Sequence, residues 1–428
     1  HGYISDKFSI YKQIDKVQPS SFHLIKKRGN LFINRVSKYW NKKSLIINSE
    51  ISENIEKDEN FYLSLIKNEL NKSIKKAINA DVEVGLFLSG GVDSSFLASQ
   101  ICKDNKNYRL KTFSIGFEQK EYDETFYSDK ISKILNTNHH KFLCKAKDIT
   151  RIVENLDKIY KEPFADISAI PTIFLSEKTS QHLKVALGGD GADEIFGGYA
   201  NYRNIFKEWQ YINLIPNKLR NKITSLSNRF LQIKSIQIRD LEDYFQYRNT
   251  CWKKNKNVIL DYSDFKNKEL NQINSISTLL TYDQNNYLPG NIFVKSDRAS
   301  MHFGLELRSP FVNHKIVEAL QLIPKNLLFK NNISKYVLKE LLYKELPKSL
   351  FMRNKKGFGA PLNYWLRNEL KEWSNDLLNP ELIRRQGLFD EKLITAEWNN
   401  HLNKKGDRQY YLWPILTFQN WWQNEKTN

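Results

Sequence analysis

The sequence predicts an α/β protein with a parallel sheet, followed by a mainly helical C-terminal region. Three observations support this fold class. Short apolar runs alternate with helical periods between about residues 80 and 200. Two of the three apolar runs end in glycine-rich turns. After about Tyr202 the sequence shows long helical segments and no strand pattern.

The order of these elements indicates how the chain crosses the sheet. Helices are predicted over 56–79, 92–103, 124–135, 149–160 and 170–180. Strands are predicted over 82–88, 110–117 and 183–187. This alternation implies right-handed crossovers between parallel strands. Because ligands bind beyond the carboxyl ends of such strands, both glycine turns are expected to face one crevice.

Composition excludes several classes of protein. The 428 residues predict two domains, or one large domain with an extension. The net charge of +18 is spread along the chain without a dense basic block, so no nucleic-acid partner is expected. No apolar stretch has the length of a membrane span, so no membrane partner is expected. Three scattered cysteines, Cys102, Cys144 and Cys251, favour a reducing, cytoplasmic setting over disulfides or a zinc site.

The first glycine turn, residues 86–95 (LFLSGGVDSS), has the features of a phosphate cradle. Gly90 and Gly91 lack Cβ, so backbone N–H groups there can approach an anion closely. The helix that begins here points its positive end at the same place. Three hydroxyl groups add donors: those of Ser89, Ser94 and Ser95. Asp93 could hold a Mg²⁺ ion that the phosphates also bind. The loop is not a Walker A loop, because the lysine and the spacing of that motif are absent.

The SGGVDSS segment resembles the signature loop of the ATP-pyrophosphatase (PP-loop) superfamily. Members of this superfamily split ATP between its α and β phosphates and adenylate an acceptor oxygen. The resemblance implies an adenine-nucleotide α-hydrolase-like core over about 80–200 and a helical region over about 201–428. It also implies that the loop holds the departing pyrophosphate, that Leu88 and Ile115 lie near the adenosine, and that ATP and Mg²⁺ are required.

The second glycine turn, residues 188–199 (GGDGADEIFGGY), places three acids among five glycines. It resembles the second signature of the asparagine synthetase family, which includes β-lactam and carbapenam synthetases. The resemblance implies that Asp193 joins Asp93 in binding Mg²⁺ and that Gly188 and Gly189 border the nucleotide. Asp190 stands where an acid assists formation of the acyl-adenylate and where the β-lactam-forming relatives carry Tyr. Gly188 is a departure, because the family usually has Ser there.

Further segments resemble the same family. They are 162–171 (EPFADISAIP), 297–311, 334–339 (SKYVLK) and 353–361 with Trp365. The resemblance implies that Lys335 offsets the charge on the leaving pyrophosphate. Glu306 and Arg308 are interpreted as a buried structural pair, and the 353–361 element as packing on the active-site wall. Asn313 departs from the usual Asp. Ile167 lies near a position where some asparagine synthetases carry an Arg that grips aspartate.

The resemblance covers nearly the whole chain and implies its organisation. Residues 49–428 match the synthetase domain, and residues 1–48 match the tail of an N-terminal Ntn-type glutaminase domain whose front is absent from this chain. The implied reaction converts aspartate, ATP and ammonia into asparagine, AMP and pyrophosphate. Glutamine supplies the ammonia through the glutaminase domain, which normally lies in cis. Alone, this chain is expected to use free ammonia, because none of its cysteines stands at a free N-terminus.

Two alternatives and one question of assembly stay open at this stage. A member of the same family could amidate another small-molecule carboxylate, such as a sugar acid of a surface polysaccharide. A PP-loop protein that modifies or binds tRNA would share the first loop, but the GGDGADE segment argues against it. A homodimer is one assembly left open.

Overall fold

The computed structural model describes residues 2–5, 7–40, 58–104, 109–216, 219–220, 238, 240–252, 258–260, 275–353 and 359–427. The start of the helix predicted over 56–79 and most of the 353–361 element lie outside the described residues.

An antiparallel hairpin precedes the main sheet. Its strands are Ser21–Arg28 (β1) and Leu31–Lys38 (β2), with Arg28 opposite Leu31 at the turn. Nearly every side chain of both strands is exposed, including Leu31 and Phe32. The two strands therefore bury almost no core of their own.

Five strands form one parallel sheet. They are Val84–Phe87 (β3), Lys111–Phe117 (β4), Asn138–Cys144 (β5), Val185–Leu187 (β6) and Glu306–Arg308 (β7). Their order is β5-β4-β3-β6-β7, with Leu86 opposite both Thr112 of β4 and Leu187 of β6. The chain winds in one direction from β3 to β5 and in the other from β6 to β7. The switch point lies between β3 and β6, the two strands that carry the glycine turns.

The predicted fold class is confirmed, with two strands that the pattern did not reveal. β5 is an edge strand with a largely exposed or half-buried face, so its sequence NHHKFLC lacks a long apolar run. β7 has three residues and lies after Tyr202, so the expectation of no strand in that region is wrong. A strand this short gives no measurable alternation in sequence. The helix predicted over 149–160 is two helices separated at Asn155.

Helices cover both faces of the sheet. Before residue 200 they are Glu59–Ile78, Val92–Asp104, Thr125–Leu135, Ala146–Glu154, Leu156–Tyr160, Ala169–Ser180 and Ala192–Phe196. The C-terminal region adds Ala200–Asn213, Leu241–Asn249, Ile276–Asn285, Phe293–Met301, His314–Gln321, Lys325–Leu328, Tyr336–Tyr343, Leu362–Arg367, Lys371–Leu377, Pro380–Gln386, Glu391–Leu402 and Gln409–Thr427. Short 3₁₀ segments are Lys330–Asn332 and Lys348–Phe351, and a π-helical turn, Leu288–Ile292, leads directly into Phe293–Met301.

Two large hydrophobic cores hold these layers together. One core packs Leu86, Phe96 and Leu338 between β3 and the helices Val92–Asp104 and Tyr336–Tyr343. The other packs Trp365 and Trp413 of the C-terminal helices against the β4 side of the sheet. Each fully buried side chain of this size contributes about 2 kcal/mol of transfer free energy. The C-terminal helices therefore fix the sheet from outside, and Trp365 packs on Phe117 behind the site as predicted. No helix among the described residues is long and apolar enough to cross a bilayer.

Candidate active site

A cavity of about 1590 Å³ opens at the carboxyl ends of β3, β4 and β6. Both glycine turns line it, which confirms that they face one crevice. The predicted residues on its wall are Leu88, Ser89, Gly90, Gly91, Asp93, Ser94, Ile115, Gly188, Gly189, Asp190, Asp193 and Lys335. Ser95 lies behind the wall, because its side chain is fully buried and its hydroxyl has no partner among the described residues.

The first turn is held in shape by its own serines. The Gly91 N–H donates to Ser89 Oγ at 3.3 Å, and the Ser89 N–H donates to Ser94 Oγ at 3.2 Å. Gly90 has φ +74°, and a Cβ there would lie 2.7 Å from the Ser128 backbone nitrogen. Only glycine fits this position without strain or displacement. The turn is therefore preformed as a small-residue concavity at the start of the helix Val92–Asp104.

Lys335 joins the two turns. Its Nζ lies 2.6 Å from both carboxylate oxygens of Asp93 and 2.8 Å from Oδ1 of Asp193. The lysine side chain is 4% exposed. Burial lowers the pKa of this ammonium, but the two carboxylates outweigh burial and raise the pKa overall. One buried cation thus holds two acids that are distant in sequence at one point.

The backbone around Lys335 is unusual in its conformation. Lys335 has φ +53°, and Asn331 and Asn332 have φ +54° and +59°. Left-handed conformations in non-glycine residues are uncommon and cluster at functional sites. Glu59 fixes both ends of this segment: it accepts a hydrogen bond from Tyr336 Oη at 2.7 Å and forms an ion pair with Lys330.

The second turn needs its glycines for close approach. A Cβ on Gly198 would overlap Asp193 Oδ1 and Lys335 Cε, and a Cβ on Gly189 would lie 3.1 Å from Asp93 Cβ. Gly188 is different, because a Cβ there meets only ordinary contacts at 3.5 Å. The Lys335 contact with Asp193 therefore depends on the absence of a side chain at Gly198.

A second buried lysine serves the other acids of the site. Lys295 Nζ lies 3.0 Å from Ser168 Oγ and 3.7 Å from Asp166 Oδ2. Burial raises the pKa of Asp190, while Lys295 and a hydrogen bond from Ser296 oppose this rise. For Asp166, burial also acts to raise the pKa, but Lys295 and its hydrogen bonds lower it overall. The two carboxyls therefore differ in basicity beside one ammonium, which suits a proton-handling role for Asp190.

Two further carboxyls, one in the second turn and one close to it, have raised pKa values. Glu194 is 1% exposed and accepts a 2.5 Å hydrogen bond from Tyr199 Oη, and burial raises its pKa to about 7. Asp283 accepts a hydrogen bond from Tyr202 Oη at 2.8 Å, and burial raises its pKa to about 7 as well. Both tyrosines line the cavity.

Arg353 closes the site near the first turn. Its guanidinium lies 3.5 Å from the centre of the Tyr127 ring, 3.1 Å from Glu124 Oε1, and 3.4 Å from the Gly90 carbonyl oxygen. This stacked position is typical of arginine at anion sites. Residues beyond Arg353 up to 358 lie outside the described ranges.

The sequence identified the two turns more readily than the residues behind them. The sequence indicates no role for Lys295, Glu194 or Arg353, and it marks Asp166 only as part of the 162–171 segment. Each lies within or two residues from a motif segment, so proximity to the motifs was the available signal. The pair Glu306 and Arg308 is confirmed at 2.7 Å, but Glu306 is 54% exposed, so its predicted burial is wrong. β7 is an edge strand, which leaves that side chain in solvent.

The metal-binding potential of the site rests on two acids. In the described part of the chain, no group of three or more His, Cys, Asp or Glu side chains is placed to hold a metal. Asp93 and Asp193, brought together on Lys335, form a two-carboxylate set. Mg²⁺ is commonly held by one or two carboxylates together with substrate phosphates, so this pair fits the ion.

Comparison with known proteins identifies the family of the sequence. The sequence profile of asparagine synthase matches residues 65–423. The chain is similar to glutamine-hydrolysing asparagine synthetase 1 of Bacillus subtilis, with 27% identity over 86% of this chain and 60% of that protein. It is also similar to asparagine synthetase 3 of the same organism (24%, 90% and 60%) and to asparagine synthetase 1 of Arabidopsis thaliana (25%, 75% and 47%). The chain thus spans about 60% of the length of its Bacillus subtilis relatives.

Two solved structures show a remote likeness to this chain. An NMN synthetase from Francisella tularensis matches with a TM-score of 0.24 and 14% identity, over 31% of this chain and 57% of that chain. The U34-tRNA thiolase NcsA from Methanococcus maripaludis matches with a TM-score of 0.25 and 14% identity, over 56% and 77%.

Proposed function

The chain belongs to the asparagine synthase family, and from this premise we propose that it makes an amide from a carboxylate through an acyl-adenylate. Aspartate and ammonia are the proposed substrates with ATP, and asparagine, AMP and pyrophosphate are the products. The observation that carries the proposal is the Lys335 bridge, because it brings Asp93 and Asp193 to one point beside the preformed first turn. We also propose a cytoplasmic location.

The first turn would bind the phosphates. Its serine hydroxyls and the N-terminal end of the helix Val92–Asp104 offer donors to the β and γ phosphates. Asp93 and Asp193 would hold Mg²⁺, which supplies charge neutralisation on the phosphates when bound. Lys335 sits between these acids and offers its ammonium to the pyrophosphate as negative charge develops on it.

The adenylation step breaks one bond of ATP and forms another. A carboxylate oxygen of the acceptor attacks the α-phosphorus, and the bond from this phosphorus to the bridging oxygen breaks, so pyrophosphate leaves with that oxygen. Ammonia then attacks the acyl carbon and AMP departs. The nitrogen must lose a proton in this second step. Asp190 is proposed to accept this proton. Burial raises the pKa of Asp190, so its carboxylate is a stronger base than that of an ordinary Asp.

Ammonia is the proposed nitrogen donor for the described part of the chain. Glutamine hydrolysis in such enzymes needs an activated thiolate. Burial raises the pKa of Cys102 to about 11 and that of Cys144 to about 12, so both thiols stay protonated at neutral pH. We propose that the glutaminase activity belongs to a domain joined in cis; the similar Bacillus subtilis protein is named as glutamine-hydrolysing.

The direct test is a product assay. The chain is incubated with aspartate, MgATP and ammonium chloride, and AMP, pyrophosphate and asparagine are measured. Equal amounts of the three products are expected, and Asp193→Asn should abolish all three. Release of ADP and phosphate instead would contradict the adenylate route.

The acceptor is tested separately, because Ile167 lines the cavity where some family members place an arginine. Pyrophosphate release is measured with aspartate, glutamate, and galacturonate as a sugar acid. If galacturonate is the one acid of the three that supports pyrophosphate release, the proposed adenylation stands, and the acceptor is a sugar acid instead of aspartate.

A further inference from the structure

A buried histidine lies behind the cavity wall next to Ile115, the residue that the family resemblance implies is near the adenosine. His139 on β5 is 7% exposed. Its Nε2 lies 3.1 Å from Ser114 Oγ and 3.2 Å from Ser128 Oγ, and its Nδ1 lies 2.8 Å from Thr112 Oγ1. Both serines line the cavity, and Ser114 adjoins Ile115 on β4. The proposed function does not use any of these polar groups.

The hydrogen bonds around His139 determine which ring nitrogen carries the proton. Thr137 donates its hydroxyl proton to Ser132 Oγ at 2.8 Å. In the 2.9 Å hydrogen bond between Thr137 Oγ1 and Thr112 Oγ1, the donor is therefore the Thr112 hydroxyl. Thr112 Oγ1 in turn accepts from the Nδ1–H of His139. Burial lowers the pKa of His139 to about 4, so the ring is neutral and Nε2 is an acceptor.

The remaining contacts identify which hydroxyl group donates a hydrogen bond to Nε2. The Ser128 hydroxyl donates to the Thr125 carbonyl oxygen at 3.0 Å. The Asp129 carboxylate is 3.9 Å from Nε2, too far for a hydrogen bond, and it pairs with Lys141 at 2.7 Å. The proton that Nε2 accepts therefore comes from Ser114. With that proton committed, Ser114 Oγ offers only lone pairs to the cavity.

We propose that Ser114, oriented by His139, selects a 6-aminopurine nucleotide over a 6-oxopurine nucleotide in this cavity. An acceptor at this place fits the exocyclic amino group of adenine and opposes the carbonyl oxygen of hypoxanthine or guanine. Ser114 is thus a specificity-determining residue and His139 a positioning residue. The inference rests on the proposed binding of ATP, and it concerns the base rather than the phosphates.

The test compares ATP with ITP, which carries oxygen in place of the 6-amino group. Affinities of the full chain for both nucleotides are measured with Mg²⁺ by isothermal titration calorimetry. The wild-type chain is expected to bind ATP about tenfold more tightly, as is usual when a polar group loses its partner. Ser114→Ala should bring the two affinities to within about threefold. His139→Gln should raise the affinity for ITP, because it frees the Ser114 hydroxyl to rotate and donate.

Ser128→Ala is the matched control. It removes a cavity-lining hydroxyl beside the same histidine, but one whose proton is committed to the Thr125 carbonyl, so the ATP to ITP ratio should persist. Equal wild-type affinities, or an unchanged ratio in Ser114→Ala, would overturn the inference and leave the proposed function intact. Failure of the wild-type chain to bind either nucleotide would instead remove the proposed function. Thermal unfolding checks each variant, and if His139→Gln does not fold, the two serine variants decide.

Discussion

Lys335 shows how one residue can define this site. Its ammonium contacts Asp93 and Asp193, which lie 100 positions apart in sequence and follow different strands. Nothing in its immediate sequence distinguishes it from the other lysines of a lysine-rich chain. The resemblance of SKYVLK to a family segment was the only signal for it, whereas the glycine turns carry a physical signal of their own.

Lys335→Met should reduce adenylation by at least about 100-fold, because the charge on the leaving pyrophosphate loses its buried counterion. Exchange of labelled pyrophosphate into ATP, measured with aspartate present, reports this step alone. Lys344→Met is the control, since it removes an exposed lysine just after the helix Tyr336–Tyr343, which Lys335 precedes. Exchange close to the wild-type rate in Lys335→Met would remove the lysine from the proposed mechanism.

Glu194 is expected to make stability depend on pH. Its pKa is about 7 in the folded protein against an ordinary value of 4.5, which corresponds to roughly 3 kcal/mol. The folded state therefore favours the protonated acid, and the free energy of unfolding should fall as pH rises from about 4.5 to about 7. In Glu194→Gln this fall should disappear, so the variant gains roughly 3 kcal/mol relative to the wild type between pH 4.5 and pH 8.

Urea unfolding at a series of pH values measures this difference. Asp283 titrates in both proteins, so its contribution cancels. Glu372→Gln, at an exposed position, should show no pH-dependent difference. The same result for Glu194→Gln would contradict the assignment of a raised pKa.

At the scale of elements, the second turn combines two kinds of glycine. Gly191 and Gly197 have φ +84° and +69°, so they are needed for backbone conformation, whereas Gly198 is needed for space. The sequence showed the cluster and its placement after a strand, which was sufficient to predict the crevice. It did not show which glycine serves which purpose, because that depends on Phe329 and Lys335 from a distant part of the chain.

Gly198→Ala should lower adenylation more than tenfold, because its Cβ would displace either Asp193 or Lys335. Gly188→Ser provides the comparison within the same turn, since a side chain there meets only contacts of 3.5 Å and the family usually carries Ser. We expect its activity to stay within about twofold of the wild type. Equal tolerance of both changes in the pyrophosphate-exchange assay would show that the close approach at Gly198 is dispensable.

The elements that the sequence missed are those whose burial is set by neighbours. β5 pairs with β4 over seven residues although His139, His140 and Lys141 lie within it. The side chain of the first histidine is held by hydrogen bonds to β4, and the second, which is half-buried, stacks on Phe113 at 5.2 Å. A polar strand of this kind has no apolar alternation, so periodicity alone reads it as loop. β7 was missed for its length, as three residues are too few for a pattern.

At the scale of the whole molecule, the N-terminal segment is attached beside the cavity. Glu162 accepts the Ile10 backbone N–H at 2.8 Å and pairs with Lys16 at 2.7 Å. The Ala165 N–H donates to the Gly2 carbonyl at 2.7 Å, and Gly2 and Tyr3 line the cavity. The segment before β1 therefore forms part of the active-site wall, a role that its turn-rich sequence did not suggest.

Glu162→Ala should release this segment. Loss of a charged hydrogen-bond acceptor of this type typically changes local opening by about tenfold or more. Hydrogen exchange of the peptide that covers residues 7–16 measures the effect directly. Glu154→Ala, an exposed acid nearby in sequence, should leave that peptide at its wild-type exchange rate. Unchanged exchange in Glu162→Ala would place the anchor of the segment elsewhere.

The π-helical turn at Leu288–Ile292 determines the directions in which the side chains of the next helix, Phe293–Met301, point. Such a turn amounts to one residue inserted into an otherwise regular helix. Asn291, within the turn, donates to Asp166 at 3.0 Å, and Lys295, one turn later, reaches Ser168 and the same acid. Deleting one residue here would restore a regular helix and swing Lys295 by about 100° around its axis. A homologue one residue shorter at this place would thus carry the same lysine without its ability to reach the acids, and alignment by identity alone would conceal the loss.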